Sequence, residues 1–270
     1  MPPQELKLGK KPHVEDSRDL MLGRFLDLSR LPVPPETFTY AGVIEDGEWG
    51  MLLNDRLDSC APAGAIHSQL GLSRIGDHNP DFNDACCELA YEEMGGYVIG
   101  DPATDQGCDL RDVAKVWQKV GLADASGHRH RCGFYLWLEP GNLVELKIAT
   151  YLFKTGCLGF RLTQNAQEAY WAAEGAGTKP VWNFDPASPE VGGHAVPEFG
   201  PVEEGCWDGV SWGSGVDIAD AYIENQMDSG FVVITHADLD VTGQVEGFDS
   251  EAVQGHVKAL KREFAGAVAA

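Results

Sequence analysis

The chain has 270 residues, of which 43% are hydrophobic, and a formal net charge of −22 at pH 7. This length and apolar content allow a sizeable core, so one large domain or two lobes is expected. A surface this acidic repels phosphate backbones and anionic lipid headgroups, which argues against nucleic acid and membranes as partners.

No stretch of the sequence approaches the roughly 20 apolar residues of a membrane span. The N-terminus, MPPQELKLGKKPHVED, has no apolar core of the kind found in signal peptides. The number of cysteines is odd, at seven, and no CxxC pair occurs. These features predict reduced thiols, no classical zinc site and no export by a signal peptide.

Residues 1–35 are rich in proline and charge and are predicted to form an extended N-terminal arm. A first helix is expected to begin at Ser59 or Cys60, with Pro62 in its first turn. Further helices are indicated by their capping residues and apolar spacing: Asn83 to Gly95, Asp109 to Gly121, and a segment in which Asn142 and Glu145 have capping-box spacing.

The pattern changes to strands in the second half of the chain. The segments CLGFRLT, GGHAVPEFGPV, CWDGVSWG and GFVVITHADL are typical of strands, with a short helix at AQEAYWAA. A closing amphipathic helix is predicted over about residues 249–266. This order indicates an α+β domain over residues 36–270, with a helical lobe at about 55–155, a β lobe at about 156–240 and a cleft between them.

Cys60 stands out because it lies at a predicted helix start among small side chains, in the sequence SCAPAGA. The positive end of a helix dipole stabilises a thiolate, and small neighbours would let a substrate approach. His67 is one candidate partner, but seven residues along the same helix place it about 10 Å away. His194, in VGGHAV, follows Cys60 by 134 residues, which fits the spacing of papain-type cysteine and histidine.

Residues 35–239 resemble the papain-like, C1-type cysteine peptidase fold, and more closely the divergent papain-like proteins of bacteriophages and some bacteria. The segments that carry the resemblance are NDRLDSC, TDQG, GGHAV and VSWG, in that order. The resemblance implies a two-lobed fold with a helical lobe, an antiparallel β-sheet or barrel lobe, and an active-site cleft between them.

The resemblance also implies a role for each matching residue. Cys60 would be the nucleophile and His194 its general base, with the Cys60 sulfur within about 4 Å of a ring nitrogen. Asn54 would take the place of the family's oxyanion-hole glutamine. Gln106 and Gly107 would line the cleft edge that binds substrate backbone, and Trp212 would shield the histidine. No cofactor and no metal are implied.

The sequence departs from the family pattern at the residue that orients the histidine. Val210 stands at the position of the orienting asparagine, and a valine cannot hydrogen-bond to an imidazole. Asp208, two residues earlier on the same strand face, is the first candidate to replace it. No helical inhibitory propeptide pattern is visible, so the arm is expected to pack as a strap that leaves the cleft open.

Two further segments allow a metal site as well as a structural reading. His128, His130 and Cys132 would share one face of an extended segment, although a solvated loop is the simpler interpretation. The segment from Asp238 to Asp249 has calcium-loop spacing, but a polar turn followed by a helix cap also accounts for it.

The leading functional hypothesis is a phage-encoded thiol hydrolase that acts on a peptide or another amide, including cell-wall peptide. The alternative is a virion decoration or structural protein that keeps the fold for binding and has lost turnover. Expected partners are a peptide or protein substrate and, through the arm, other virion subunits. The expected location is the host cytoplasm or the virion, mounted on its outside because the net charge of −22 opposes packaged DNA.

Overall fold

A computed structural model describes residues 6–45, 47–235 and 247–255 of the chain. Its α-helices are α1 Cys60–Ile75, α2 Asp84–Gly95, α3 Leu110–Lys119, α4 Leu143–Phe153, α5 Gln164–Ala176 and α6 Asp220–Gln226. Its strands are β1 Leu122–Ala123, β2 Arg129–His130, β3 Phe134–Trp137, β4 Gly156–Thr163, β5 Val181–Trp182, β6 Glu190–Glu203, β7 Cys206–Ser211, β8 Ser214–Ala219 and β9 Met227–Ile234. The predicted α+β organisation is confirmed.

The predicted helix starts are confirmed by their caps. The Asn83 side chain accepts hydrogen bonds from the first turn of α2, and the Asp109 side chain accepts one from Arg111. Asn142 caps α4 by accepting from the backbone of Glu145. The Glu145 carboxylate instead accepts hydrogen bonds from the backbone of Gly23 and Glu139, so it ties the arm to this helix.

A seven-stranded sheet with the order β3-β9-β4-β6-β7-β8-β5 forms the second half of the fold. Its long central strands are antiparallel: β4 pairs with β6 on one side and with β9 on the other. The register between β4 and β9 shifts at Gly159, where Asp228 is the extra residue between two paired positions. Such a bulge re-aims the side chain it displaces, and this one lies at the cleft.

Two large apolar clusters lie on either side of the cleft. One packs α4, α5 and α6 against the sheet around Phe160, Trp182 and Tyr222. The other packs α1, α2 and α3 around Tyr91 and Trp117, and includes Cys60. Helix α1 contacts β6, so the first residue of α1 is brought beside the strand that carries His194.

Other sequence-based expectations have mixed outcomes. The closing helix is helical over residues 250–255, and the rest of its predicted span lies outside the described residues. Most of the candidate calcium segment from Asp238 to Asp249 also lies outside them. His130 hydrogen-bonds to Asp124 at 2.9 Å, and the described residues contain no cluster of metal-binding side chains. None of the described helices is long and apolar enough to cross a membrane.

Candidate active site

Cys60 is the first residue of α1 and is completely buried. Its sulfur accepts a hydrogen bond from the backbone N–H of Gly9 at 3.2 Å. Burial raises the pKa of the thiol to about 11, although hydrogen bonds from the Ala195 and Gly9 backbones oppose the rise. The sequence predicted a lowered pKa, and that expectation is wrong for this state because the arm excludes water from the sulfur.

His194 lies on β6, also completely buried, and its neighbour Ala195 contacts the sulfur of Cys60. The Nε2 atom lies 2.9 Å from Oγ of Ser211, while Nδ1 has no hydrogen-bond partner within the part of the chain that the structure describes. Burial lowers the pKa of the imidazole to about 3. The strand that carries His194 therefore lies beside Cys60, and no hydrogen bond joins the sulfur to the ring.

Trp212 packs on His194 as predicted, with ring centroids 4.3 Å apart and planes at 21°. The Trp212 backbone has a φ of +48°, a left-handed conformation that is costly for a bulky residue. Tyr170 supports it by donating a hydrogen bond to the Trp212 carbonyl at 3.3 Å. The indole thus covers one face of the imidazole and keeps water from it.

Asp208 does not orient His194, so this prediction is wrong. Its carboxylate accepts hydrogen bonds from Thr39 at 2.9 Å and from Lys179 at 2.8 Å. Successive residues of a strand face opposite sides of the sheet. Val210, on the Asp208 side, packs into a small cluster with Trp49, whereas Ser211, on the other side, reaches the histidine.

We expect the substitution Ser211→Ala to disturb the orientation of His194, because it removes the partner of Nε2. The loss of one such hydrogen bond costs about 1 kcal/mol. If the oriented ring assists the thiol, this cost corresponds to a roughly fivefold slower alkylation of Cys60. The measurement is the pH profile of Cys60 alkylation once the cleft is open. Asp208→Asn is the matched control, and it should leave that profile unchanged.

Asn54 is buried, and none of the residues that the structure describes hydrogen-bonds to its Oδ1 atom. The two residues before it, Leu52 and Leu53, have φ values of +52° and +62°. Non-glycine residues in this conformation are strained, and such strain persists where the surroundings impose it. The loop is fixed by His67, whose Nε2 lies 3.1 Å from the Trp49 carbonyl and 3.0 Å from the Gly50 carbonyl.

His67 therefore supports the Asn54 loop. It is not the partner of Cys60, as expected from its distance of about 10 Å along α1. Burial lowers the pKa of its imidazole to about 4, so it is neutral at physiological pH. A neutral ring can donate from Nε2 to the two carbonyls without bringing a charge into the core.

Gly107 lines the cleft as predicted, whereas Gln106 is exposed and its side chain bonds to Ala103. Gly107 has a φ of +70°, and a side-chain carbon there would overlap the carbonyl of Gly9. Its backbone N–H donates to the Tyr91 hydroxyl at 2.7 Å, and this hydroxyl donates to Asp105 at 2.8 Å. Asp105 also accepts from the backbone of Asp58, which joins the loop to the segment before Cys60.

The N-terminal arm runs through the cleft, which corrects the expectation that it leaves the cleft open. The Lys10 N–H donates to the Gly193 carbonyl at 3.0 Å on the β-sheet side. On the helical side, the Cys108 N–H donates to the Gly9 carbonyl at 2.7 Å, and the Lys11 N–H donates to the Cys108 carbonyl at 2.9 Å. The arm is thus held in an extended conformation between the two lobes, with Lys10 and Cys108 forming a β-bridge.

The arm covers the sulfur with a group that a thiolate cannot attack. A side-chain carbon on Gly9 would overlap the carbonyl of Asp58, so only glycine allows this close approach. Gly9 presents its N–H to Cys60, and its carbonyl oxygen is engaged by Cys108. The sequence carried one sign of this arrangement, the isolated glycine in LKLGKKP, but no local pattern connects that glycine with a cysteine 51 residues later.

No protein-family model matches the sequence, and no curated protein matches it. Solved structures do match. Xylellain, a cysteine protease from Xylella fastidiosa, superposes with a TM-score of 0.60 at 17% identity, over 86% of this chain and 97% of that one. ProCathepsin B S9 from Trypanosoma congolense gives 0.59 at 12% identity, over 84% and 86%.

The digestive procathepsin L2 proteinase from Tenebrio molitor larval midgut gives a TM-score of 0.53 at 13% identity, over 75% of this chain and 69% of that one. At these identities the comparisons show a shared fold. The papain-like fold expected from the sequence is therefore confirmed.

Proposed function

We propose that this chain is a thiol hydrolase that cleaves peptide amides and is held closed by its own N-terminal arm. The observation that carries the proposal is the constellation at the cleft: a helix-start cysteine beside the strand of a histidine whose Nε2 is held by Ser211 and whose Nδ1 has no partner among the described residues. A buried ring nitrogen without a partner is unfavourable, and such groups are kept where chemistry uses them.

The reaction starts when the arm leaves and a substrate carbonyl takes its place. His194 then accepts the Cys60 proton on Nδ1 while Ser211 holds Nε2–H. The thiolate attacks the carbonyl carbon, and the Cys60 backbone N–H and the Asn54 amide stabilise the oxyanion. The imidazolium returns its proton to the leaving amine as the C–N bond breaks, which leaves a thioester. Water, deprotonated by His194, hydrolyses the thioester and regenerates the thiol.

A second candidate is a binding protein that keeps the fold without turnover. The observation in its favour is that, with the arm in place, neither the thiol nor the imidazole is ionised near neutral pH. The virion role expected from the sequence belongs to this candidate, with the arm as the part that exchanges between the cleft and a neighbouring subunit.

The two candidates are separated by an assay on a chain whose arm cannot seat. Gly9→Ala serves this purpose, because a side-chain carbon at residue 9 overlaps the backbone of Asp58. We expect this variant to release soluble peptides from denatured casein, and the double variants with Cys60→Ala or His194→Ala to release none. Folded Gly9→Ala protein that binds peptides but does not cleave them would favour the binding protein.

A further inference from the structure

Lys10 of the arm places its side chain in a pocket of the cleft. The side chain of Lys10 is only 1% exposed, and its Nζ lies 2.7 Å and 2.8 Å from the two carboxylate oxygens of Asp228. A lysine is almost never buried this completely without a partner. The pocket is therefore built for the whole side chain, from its apolar stem to its charged tip.

The shape of the pocket depends on a missing side chain. A side-chain carbon at Gly159 would overlap Oγ of Ser229 and would lie 2.7 Å from Cδ of Lys10 and 2.9 Å from Leu110. The glycine thus leaves a channel for the lysine stem, and Leu110 is an apolar wall beside it. The apolar stem of the lysine lies along this channel, and its charged tip reaches Asp228. A long cationic side chain needs both environments.

The charge of the pocket comes from the bulge between β4 and β9. Asp228 is the extra residue of that bulge and faces the cleft, where its carboxylate also accepts from the Ser229 hydroxyl at 2.8 Å. It borders a cavity of about 350 Å³ that the arm lines on one side, with Asp16 and Asp19 among its residues. Asp16 and Asp19 pair with Arg18 and Arg111, so the cation that the arm supplies to Asp228 is Lys10.

When the arm leaves, Asp228 loses its ion-pair partner while the channel over Gly159 opens. With Lys10 in place the Asp228 side chain is 20% exposed, so a substrate cation that fills the same channel re-forms a largely shielded ion pair. We propose that this pocket binds a lysine or arginine side chain of the peptide substrate, with Asp228 as the residue that determines the specificity. This inference rests on the proposed hydrolase function and names the class of peptide that it takes.

The test uses the full chain with Gly9→Ala and peptides that differ at one position. The reference probe is acetyl-Leu-Lys-Leu-Gly-Lys-Lys-Pro-amide, the sequence of residues 6–12. Its fifth residue is replaced by arginine, norleucine or glutamate. Binding is read as protection of Cys60 from iodoacetamide, which requires no turnover, and hydrolysis of the same peptides is followed by mass spectrometry.

We expect the lysine and arginine peptides to protect at concentrations at least about 10-fold lower than the norleucine peptide, since a buried charged pair is lost. Asp228→Asn should reduce this preference to less than about twofold, and Gly159→Ala should weaken binding of all long side chains. Glu204→Gln, which removes a charge from an exposed turn, is the control for general electrostatics and should keep the preference.

Equal protection by the norleucine and lysine peptides, or no protection by any peptide, would overturn the inference. Cation-selective protection without hydrolysis would support the inference and would not count against the hydrolase, because a peptide bound like the arm presents the Gly9 N–H to Cys60 and not a carbonyl carbon. Failure of the hydrolase is read separately, from the casein assay. Hydrolysis without cation preference would overturn the inference and support the hydrolase.

A second measurement keeps the Gly9 backbone intact. Lys10→Met and Asp228→Asn, made separately, should each speed Cys60 alkylation, and together should add nothing further because they break the same pair. Additive effects would contradict the assignment of Asp228 as the partner.

Discussion

Gly9→Ala is expected to raise the rate of Cys60 alkylation at pH 7.5 by on the order of 10²-fold. With the arm seated, the thiol is fully buried and its pKa is about 11, so almost none of it is thiolate. An exposed cysteine has a pKa of about 8.5, and the thiolate is the form that reacts. The added methyl group has no space against the Asp58 carbonyl, so the arm must move away from the sulfur.

The pH profile provides a second readout of the same change. The wild-type rate should increase about tenfold per pH unit throughout the range from 7 to 10, because the pKa lies above it. The Gly9→Ala rate should level off well before pH 10. The position of this plateau reports whether His194 lowers the thiol pKa further once the cleft is open, which is the arrangement that a nucleophilic cysteine requires.

Gly42→Ala is the matched control, since a side-chain carbon at that glycine has no neighbour within 4 Å. It should leave both the rate and the profile as in the wild type. Peptide mapping assigns the label, because the chain has seven cysteines and all are buried. Equal labelling of Cys60 in the wild type and in Gly9→Ala would show that the arm does not control access to the sulfur.

The elements that could be predicted from the sequence are those whose signals are local. A capping side chain lies within three residues of the backbone it caps, so the starts of α2, α3 and α4 follow from Asn83, Asp109 and Asn142. Helix α1 has no side-chain cap, and the signal for its start is Pro62 in the first turn. The strands that carry the site were likewise visible as runs of β-forming residues. Strand β8, SGVDIA, was not predicted, although at six residues it is as long as β7.

The parts of the site that could not be predicted depend on contacts between distant segments. Whether Asp208 or Ser211 is the partner of His194 depends on which face of the sheet each side chain points to. A shift of one residue along the strand reverses the face. The position of the arm depends on pairing with Cys108 and Gly193, which lie far along the chain. The pKa of Cys60 follows from that position, so the error about the arm led directly to the error about the thiol.

A second large effect is expected at Glu198, a completely buried carboxyl four residues after His194 on β6. Thr150 Oγ1 is hydrogen-bonded both to the Leu146 carbonyl, at 3.0 Å, and to a carboxyl oxygen of Glu198. A hydroxyl has one proton, and a carbonyl can only accept. When Glu198 is ionised, the single Thr150 proton serves only one of its two acceptors; when Glu198 is protonated, it donates to Thr150 and both bonds are made, which favours the protonated form.

Burial raises the pKa of Glu198 to about 8, against the opposing effects of hydrogen bonds from Thr150 and from the backbones of Gly200 and Gly156. An unfolded glutamate has a pKa of about 4.3. Between these values the folded state binds the proton and the unfolded state does not. The contribution of Glu198 to the free energy of unfolding is therefore fully present below pH 4.3. It falls by about 1.4 kcal/mol per pH unit as the pH rises to 8.

Glu198→Gln should remove this pH dependence, because the amide can donate to Thr150 and accept from Gly200 without titrating. The measurement is the difference in free energy of unfolding between wild type and Glu198→Gln, taken with denaturant from pH 4 to pH 9. The variant should gain relative to the wild type as the pH rises and then level off near pH 8. Glu204→Gln, at an exposed turn, should show a constant difference. A constant difference for Glu198→Gln as well would mean that the carboxyl is ionised in the folded protein, and that Thr150 donates to it instead of to Leu146.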